Sequence, residues 1–163
     1  MKFSTVKMVL FFSISALLFT ACGGGGDKKE DPKPVPDTEN PTIVTTLPAA
    51  TGQAYSMTGS FLYSGTFKDN EALAEVEFSL NHNKTNPSAS LKVSSGVDDP
   101  PWEPTKEGGF KVVLSGKEQK LENKVLFGED IPSSIWTGTY TLTITCTDKA
   151  GNKAVSNIDV TIQ

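Results

Sequence analysis

Residues 138–152 read Gly-Thr-Tyr-Thr-Leu-Thr-Ile-Thr-Cys-Thr-Asp-Lys-Ala-Gly-Asn, and this stretch decides the fold. From Tyr140 to Cys146 every second side chain is apolar, and threonines occupy the positions between them. A period of two indicates a β-strand with one buried face and one face towards water. The Asp-Lys-Ala-Gly-Asn that follows predicts a tight hairpin, because Gly151 and Asn152 both tolerate positive φ. We therefore expect the last strand to pair with this one.

The same alternation recurs along the rest of the chain. Weaker patterns of the same kind mark 42–47 and 119–127, and clusters of Gly, Pro, Asn and Asp separate the strands. Apolar spacing of three and four, which is typical of helices, is not convincing in any window. About seven strands result, which predicts an all-β antiparallel sandwich. The clearest alternating segments are 61–67, 74–80, 110–114, 140–146 and 158–162.

One tyrosine narrows the kind of sandwich. Gly138-Thr139-Tyr140 opens the penultimate strand. In immunoglobulin-like sandwiches a tyrosine at this place bonds its hydroxyl back across the preceding turn. We therefore expect an immunoglobulin-like fold with Tyr140 in that role.

The N-terminus predicts a lipid anchor. Lys2 and Lys7 precede an apolar stretch at 8–19. This stretch is shorter than the roughly 18 residues that a membrane-spanning helix needs, and the pattern is that of a cleaved secretory signal. The Leu-Phe-Thr-Ala-Cys at 18–22 resembles the lipobox of bacterial lipoproteins, in which the cysteine is lipidated and the peptide bond before it is cut. The alternative is an ordinary signal cleaved near Ala21, which would leave Cys22 free.

These features divide the chain into three parts. Residues 1–21 are predicted to be a cleaved lipoprotein signal peptide. Residues 22–37 combine glycine, proline and charge, which predicts a flexible tether. Residues 38–163 are long enough for one sandwich domain. We expect the protein in the cell envelope, held by its lipid at the outer membrane, with exposure on the cell surface as one option.

Charge and motifs exclude several functions. The chain has 15 Lys, no Arg and 19 acidic residues; 13 of the lysines and all the acids follow the signal, so the mature chain carries a net charge of −6. Nucleic acid is therefore not an expected partner. No nucleophile elbow, phosphate-binding glycine loop or metalloprotease helix is present, so we do not expect an enzyme. Cys146 falls on the apolar phase of its strand, as a buried hydrophobe would.

The sequence also resembles a known group of proteins. Bacterial immunoglobulin-like extracellular modules are similar at 40–43, at 68–74, at Ile131-Pro132 and at the Gly-Thr-Tyr and Asp-Lys-Ala-Gly-Asn of the last hairpin. More narrowly, residues 38–163 resemble a family of uncharacterised Bacteroidota-type lipoproteins built from one such module. The resemblance implies a sandwich fold and no particular activity.

Loop carboxylates suggest a cation site. In a sandwich of this topology the start of the domain, the loop after the second strand and the loop before the last strand gather at one end. Calcium takes six to eight oxygen ligands from such loops, and cadherin-like modules, which this end resembles, use carboxylates at the same places. The alternative is that these residues are solvated turn formers, with Asp148 capping its own turn. The candidate calcium ligands are Asp37, Glu39, Asp69, Asp148 and Asn152.

A second candidate site lies in the loop at 98–104. Its prolines hold the chain extended, and Trp102 beside Glu103 could stack on a sugar ring. The alternative is that Trp102 folds over the core as a lid. His82 lies among Asn81, Asn83 and Lys84 and is expected to be a turn residue.

Two functions are compatible with the sequence. The first is a non-catalytic, surface-tethered binding module whose ligand is a glycan or another envelope protein. The second is a structural or adhesion module, stiffened by calcium, with no small ligand of its own.

Overall fold

The computed structural model describes residues 35–50, 52–83, 100–105 and 107–163. The predicted signal peptide, Cys22 and all of the tether before Val35 lie outside the described residues, as do Asp98 and Asp99. No described helix is both long and apolar enough to cross a membrane.

The described chain is all β. Its strands form two sheets, one with the order β1-β3-β6 and one with the order β2-β8-β7-β4-β5. The strands are β1 (Thr42–Leu47), β2 (Ala54–Tyr55), β3 (Ser60–Lys68), β4 (Leu73–His82), β5 (Phe110–Val113), β6 (Glu118–Asp130), β7 (Gly138–Asp148) and β8 (Lys153–Ile162).

The predicted β-sandwich is confirmed, and the described residues form eight strands where about seven were expected. Every strand pair is antiparallel except β2 with β8, which is parallel and only two residues long. The last hairpin pairs β7 with β8 without a register shift from Gly138↔Ile162 to Thr147↔Lys153, as expected. Gly151 alone supplies the positive φ of its turn, at +96°; Asn152 does not adopt one.

The core lies between the two sheets. On β7, Tyr140, Leu142 and Ile144 are fully buried while the threonines between them are half-buried. The two sheets meet through aromatic rings, since Tyr63 on β3 packs against Phe78 on β4 with ring centroids 4.7 Å apart. Burial of each such side chain contributes roughly 2 kcal/mol, so the alternating pattern alone brings the sheets together.

The predicted bond from the Tyr140 hydroxyl back across the preceding turn, known as a tyrosine corner, is present. The Tyr140 hydroxyl donates to the backbone carbonyl of Trp136 across 2.7 Å. The same oxygen accepts the backbone N–H of Trp102 across 3.1 Å. Tyr140 therefore joins the loop before β7 to a segment 38 residues earlier.

Candidate metal centre

Three aspartates meet at one end of the sandwich. Asp37 precedes β1, Asp69 follows β3 directly, and Asp148 ends β7. Each offers a carboxylate oxygen, and these oxygens all lie within 4.8 Å of one another. We call Asp37, Asp69 and Asp148 the three-aspartate cluster.

Strand pairing brings two of the three together. Leu73 at the start of β4 pairs with Asp148 at the end of β7. The backbone N–H of Lys149 donates to the carbonyl of Ala72 across 2.9 Å. The β3–β4 turn and the β7–β8 turn are therefore locked side by side.

Asp69 and Asp148 each hold their own turn with Oδ1. Asp69 Oδ1 accepts the backbone N–H groups of Glu71 and Ala72 at 2.9 and 2.6 Å. Asp148 Oδ1 accepts those of Gly151 and Asn152 at 2.6 and 2.8 Å. The capping of Asp148, one of the alternatives that the sequence left open, is thus real, but these bonds do not use Oδ2.

Two asparagines hold the segment before β1 against the turns. Asn70 Nδ2 donates to Asp37 Oδ1 across 3.0 Å. Asn152 Nδ2 donates to Asp148 Oδ2 across 2.8 Å and to the Asp37 backbone carbonyl across 3.3 Å. Asn152 was predicted as a calcium ligand, but the structure directs its amide N–H groups at the cluster, so it positions the aspartates.

The remaining oxygen of Asp69 stands out. Asp69 is 9% exposed, and its Oδ2 is buried without a hydrogen-bond partner among the described residues. Buried polar atoms are nearly always paired, because leaving one unpaired costs about 1–3 kcal/mol or more for a charged group. Asp69 Oδ2 is therefore an atom that lacks a donor or a cation.

The three-aspartate cluster carries negative charge that no described lysine pairs with. Among the described lysines, none lies within ion-pair distance of the three aspartates, although Lys68 and Lys149 are sequence neighbours of Asp69 and Asp148; Lys68 pairs with Glu118 at 3.2 Å. Burial of Asp148, which is 2% exposed, raises its pKa, but hydrogen bonds from Asn152 and from the backbone of the turn outweigh that effect and hold the pKa below its usual value. Asp148 therefore stays charged in a buried place.

Glu39 lies beside the cluster and outside it. Its backbone N–H donates to Asp37 Oδ1 across 3.0 Å, and its side chain is exposed. It lines an open cavity of about 210 Å³ next to Asp69. Of the five predicted ligands, the structure brings three carboxylates together, leaves the Glu39 side chain exposed beside them, and directs the amide N–H groups of Asn152 at them.

Trp102 does not occupy the exposed place that sugar stacking requires. It is 4% exposed and packs against Phe61 and Phe127, with ring centroids 6.1 and 5.5 Å away. The structure thus corresponds to the alternative of a lid over the core. Glu103 is exposed and lines a cavity of about 310 Å³ with Leu80, Asn81 and Thr105.

His82 and Cys146, which the sequence also drew attention to, both pack within the sandwich. His82 is the last residue of β4 rather than a turn residue, and its ring lies edge-on to Trp136 and Tyr140 at 5.2 and 4.9 Å. Cys146 is fully buried, as expected. Burial, together with the negative charges of Asp69 and Asp148, raises the pKa of its thiol to about 11.

Asn70 is the member of this site that the sequence did not single out. It stands between two acidic residues, Asp69 and Glu71, in a turn already rich in carboxylates. An amide among carboxylates can donate a hydrogen bond to one of them, as Asn70 does to Asp37, and this was the feature from which its role could have been predicted.

The fold and the site together define a class: a small β-sandwich with three aspartates gathered at one end. The chain belongs to a family described as a domain of unknown function, DUF4625, whose model matches residues 25–163. No curated protein matches the sequence.

Proposed function

We propose that the protein is a non-catalytic structural module of the cell envelope, in which one calcium ion at the three-aspartate cluster stiffens the end of the sandwich. The observation that carries the proposal is the convergence of three carboxylates within 4.8 Å, with a buried, unpartnered oxygen on Asp69. A calcium ion is bound by oxygens at 2.3–2.6 Å, so ligands on one ion are separated by up to roughly 5 Å. The spacing of the cluster fits that limit.

Repulsion within the cluster supports the proposal. Two like charges at the separation of 4.8 Å repel by roughly 3 kcal/mol at an effective dielectric constant of 20. No described lysine offsets this repulsion. A divalent cation would turn three repulsive pairs into three attractive contacts and would give Asp69 Oδ2 a partner.

The ligand chemistry favours calcium over zinc or magnesium. The cluster consists of hard carboxylate oxygens, and neither His82 nor Cys146 is among its members. Calcium accepts irregular sets of six to eight oxygens, whereas magnesium demands a near-octahedral set at shorter distances. Water from the open cavity beside Asp69 would complete the coordination.

Binding at this place would stiffen the start of the domain. Asp37 lies five residues before the first strand, and the other two ligands lie in turns that the sheet already holds. An ion shared by all three would fix the segment before β1 to the body of the sandwich. The module would then transmit force or orientation from its anchor to whatever it supports.

The melting temperature with and without calcium tests the proposal. At a calcium concentration about 100-fold above its dissociation constant, the native state gains about 2.7 kcal/mol, which raises the melting temperature by roughly 5–10 °C over that in chelator. In Asp69→Asn the carbonyl oxygen still accepts the two turn N–H groups, so the variant folds but loses the calcium response. Glu129→Gln, which removes an exposed charge from β6, is the control and keeps it. Overlaid melting curves in calcium and in chelator would refute the metal site.

The sandwich itself is proposed to be immunoglobulin-like. The tyrosine corner at Tyr140 and an antiparallel last hairpin, β7–β8, beside β4 in the larger sheet support this assignment. A solved structure of a protein with the same strand order, superposed on this one, checks it.

The anchor remains a proposal from the sequence. Cys22 after a short apolar stretch supports lipidation and attachment to the membrane of the cell envelope. Labelling of the protein in its host with radioactive palmitate is expected to be abolished by Cys22→Ala and unaffected by Cys146→Ala. Labelling that survives in Cys22→Ala would disprove the anchor. Contact of the domain with a glycan or an envelope protein stays a prediction, which the buried Trp102 does not support.

A further inference from the structure

The outer edge of β8 is unusually open. The strand pairs with β7 along its length, but on its other side β2 reaches only Thr161 and Ile162. Among the described residues, no strand pairs with the outer side of 153–160. Along 153–160 the backbone groups that point away from β7 therefore lack a strand partner within the part of the chain that the structure describes.

The direction of these groups follows from the end of the strand. The backbone N–H groups of Thr161 and Gln163 donate away from β7, to the carbonyls of Gln53 and Tyr55. Because backbone groups alternate in direction along a strand, those of the preceding odd-numbered residues also point outward. These residues are Lys153, Val155, Asn157 and Asp159.

The other edges carry features that prevent pairing with another chain. β6 has positive φ at Asn123 and Phe127 and shifts its register against β3. β1 also has a register shift, and β5 has only four residues. Bulges and short strands are the usual protection of sheet edges. β8 has a continuous register, no proline or glycine, and an exposed Val155 at 62%.

We propose that β8 pairs antiparallel with β8 of a second copy of this chain, around a two-fold axis at Ser156. The sequence Lys-Ala-Val-Ser-Asn-Ile-Asp at 153–159 is complementary to itself in this register. Each Lys153 lies opposite an Asp159, and each Val155 lies opposite an Asn157.

The backbone geometry agrees with this register. Odd-numbered residues lie opposite odd-numbered residues, and these are the ones whose N–H and C=O groups point outward. Four such pairs exchange about eight hydrogen bonds. The two-fold axis passes through a non-hydrogen-bonded pair, Ser156 with Ser156. The opposite charges favour a second copy of this chain as the occupant, because Lys153 and Asp159 of one copy lie opposite Asp159 and Lys153 of the other.

A cysteine at the axis tests the register. In a non-hydrogen-bonded antiparallel pair the two Cα atoms are about 4.5 Å apart, within the range for a disulfide. The full chain carrying Ser156→Cys, in non-ionic detergent under mild oxidation, is expected to form a disulfide-linked dimer. Ala154→Cys is the matched control on the same face of β8. Its two copies lie about four residues apart along the strand, roughly 13 Å, which is too far for a disulfide.

Charge reversal tests the pairing independently of cysteine. Lys153→Asp places like charges opposite each other at two positions, so dimer association measured by sedimentation equilibrium is expected to weaken about tenfold. The double variant Lys153→Asp with Asp159→Lys restores the opposite charges and the affinity. A wild-type chain that stays monomeric at every concentration, or equal cross-linking of the two cysteine variants above the wild-type background, would overturn the proposal.

Discussion

At the scale of single residues, side chains that bridge distant segments determine the structure around the core. Tyr140 is the clearest case, because its hydroxyl both donates to Trp136 and accepts from Trp102. Its place at the start of a strand made the first bond predictable from the sequence. The second bond was not predictable, since nothing in the local pattern relates Trp102 to a residue 38 positions away.

Tyr140→Phe tests the weight of this residue. The variant keeps the ring in place but leaves the Trp136 carbonyl and the Trp102 N–H without their partner, so we expect a loss of about 2–3 kcal/mol in the free energy of unfolding. Tyr55→Phe is the control, because the Tyr55 hydroxyl makes one bond, to the Leu62 carbonyl at 2.7 Å. Urea denaturation measures both, and an equal loss in the two variants would contradict the account of Tyr140.

The three-aspartate cluster also belongs to this scale. The sequence identified its members because Asp and Asn form turns, and because the turns of a sandwich gather at its ends. It could not distinguish ligands from positioning residues, since that depends on which atom of each side chain faces the cluster. Asn152 offers its amide N–H groups, and the Glu39 side chain is exposed outside the cluster.

At the scale of elements, the alternation of apolar residues predicted most of the strands, and each strand that it missed or misplaced has a physical reason. β2 has two residues, too few to show any period. β8 begins at Lys153, five residues before the predicted start, because exposed and half-buried residues alternate there without apolar side chains large enough to mark the pattern. The phase of β6 breaks at Asn123, where φ is +46° and the strand bulges.

Gly65 provides a test at the level of the sheet. It lies on the buried face of β3, where the Tyr63 ring covers it and the Tyr63 hydroxyl reaches Thr45 at 3.2 Å. A Cβ at position 65 would collide with that ring and lie 2.9 Å from the Val44 carbonyl on β1.

Gly65→Ala is therefore expected to lower the free energy of unfolding by about 1–3 kcal/mol, the usual cost of overpacking. Thr66→Ala, on the other face of the same strand, should cost less than about 1 kcal/mol. Chemical denaturation followed by circular dichroism checks both. A Gly65→Ala protein as stable as the wild type would mean that the two sheets tolerate more space at this point than their packing implies.

At the scale of the whole molecule, the acidic end of the sandwich is the feature on which the proposed function rests. One end holds three carboxylates that hydrogen bonds draw together against their mutual repulsion. The alternation of apolar residues predicts a sandwich whose loops gather at its ends. The distances between the carboxylates in those loops depend on how the two sheets and three loops pack, which the alternation does not determine. The proposed structural role therefore requires a cation at that acidic end.

An anomalous diffraction experiment on crystals of the protein grown in calcium tests this most directly. The account predicts one anomalous difference peak at 2.3–2.6 Å from carboxylate oxygens of Asp37, Asp69 and Asp148. The peak should be absent in Asp69→Asn crystals grown in the same solution. Crystals saturated with calcium that show no density among the three carboxylates would contradict the account.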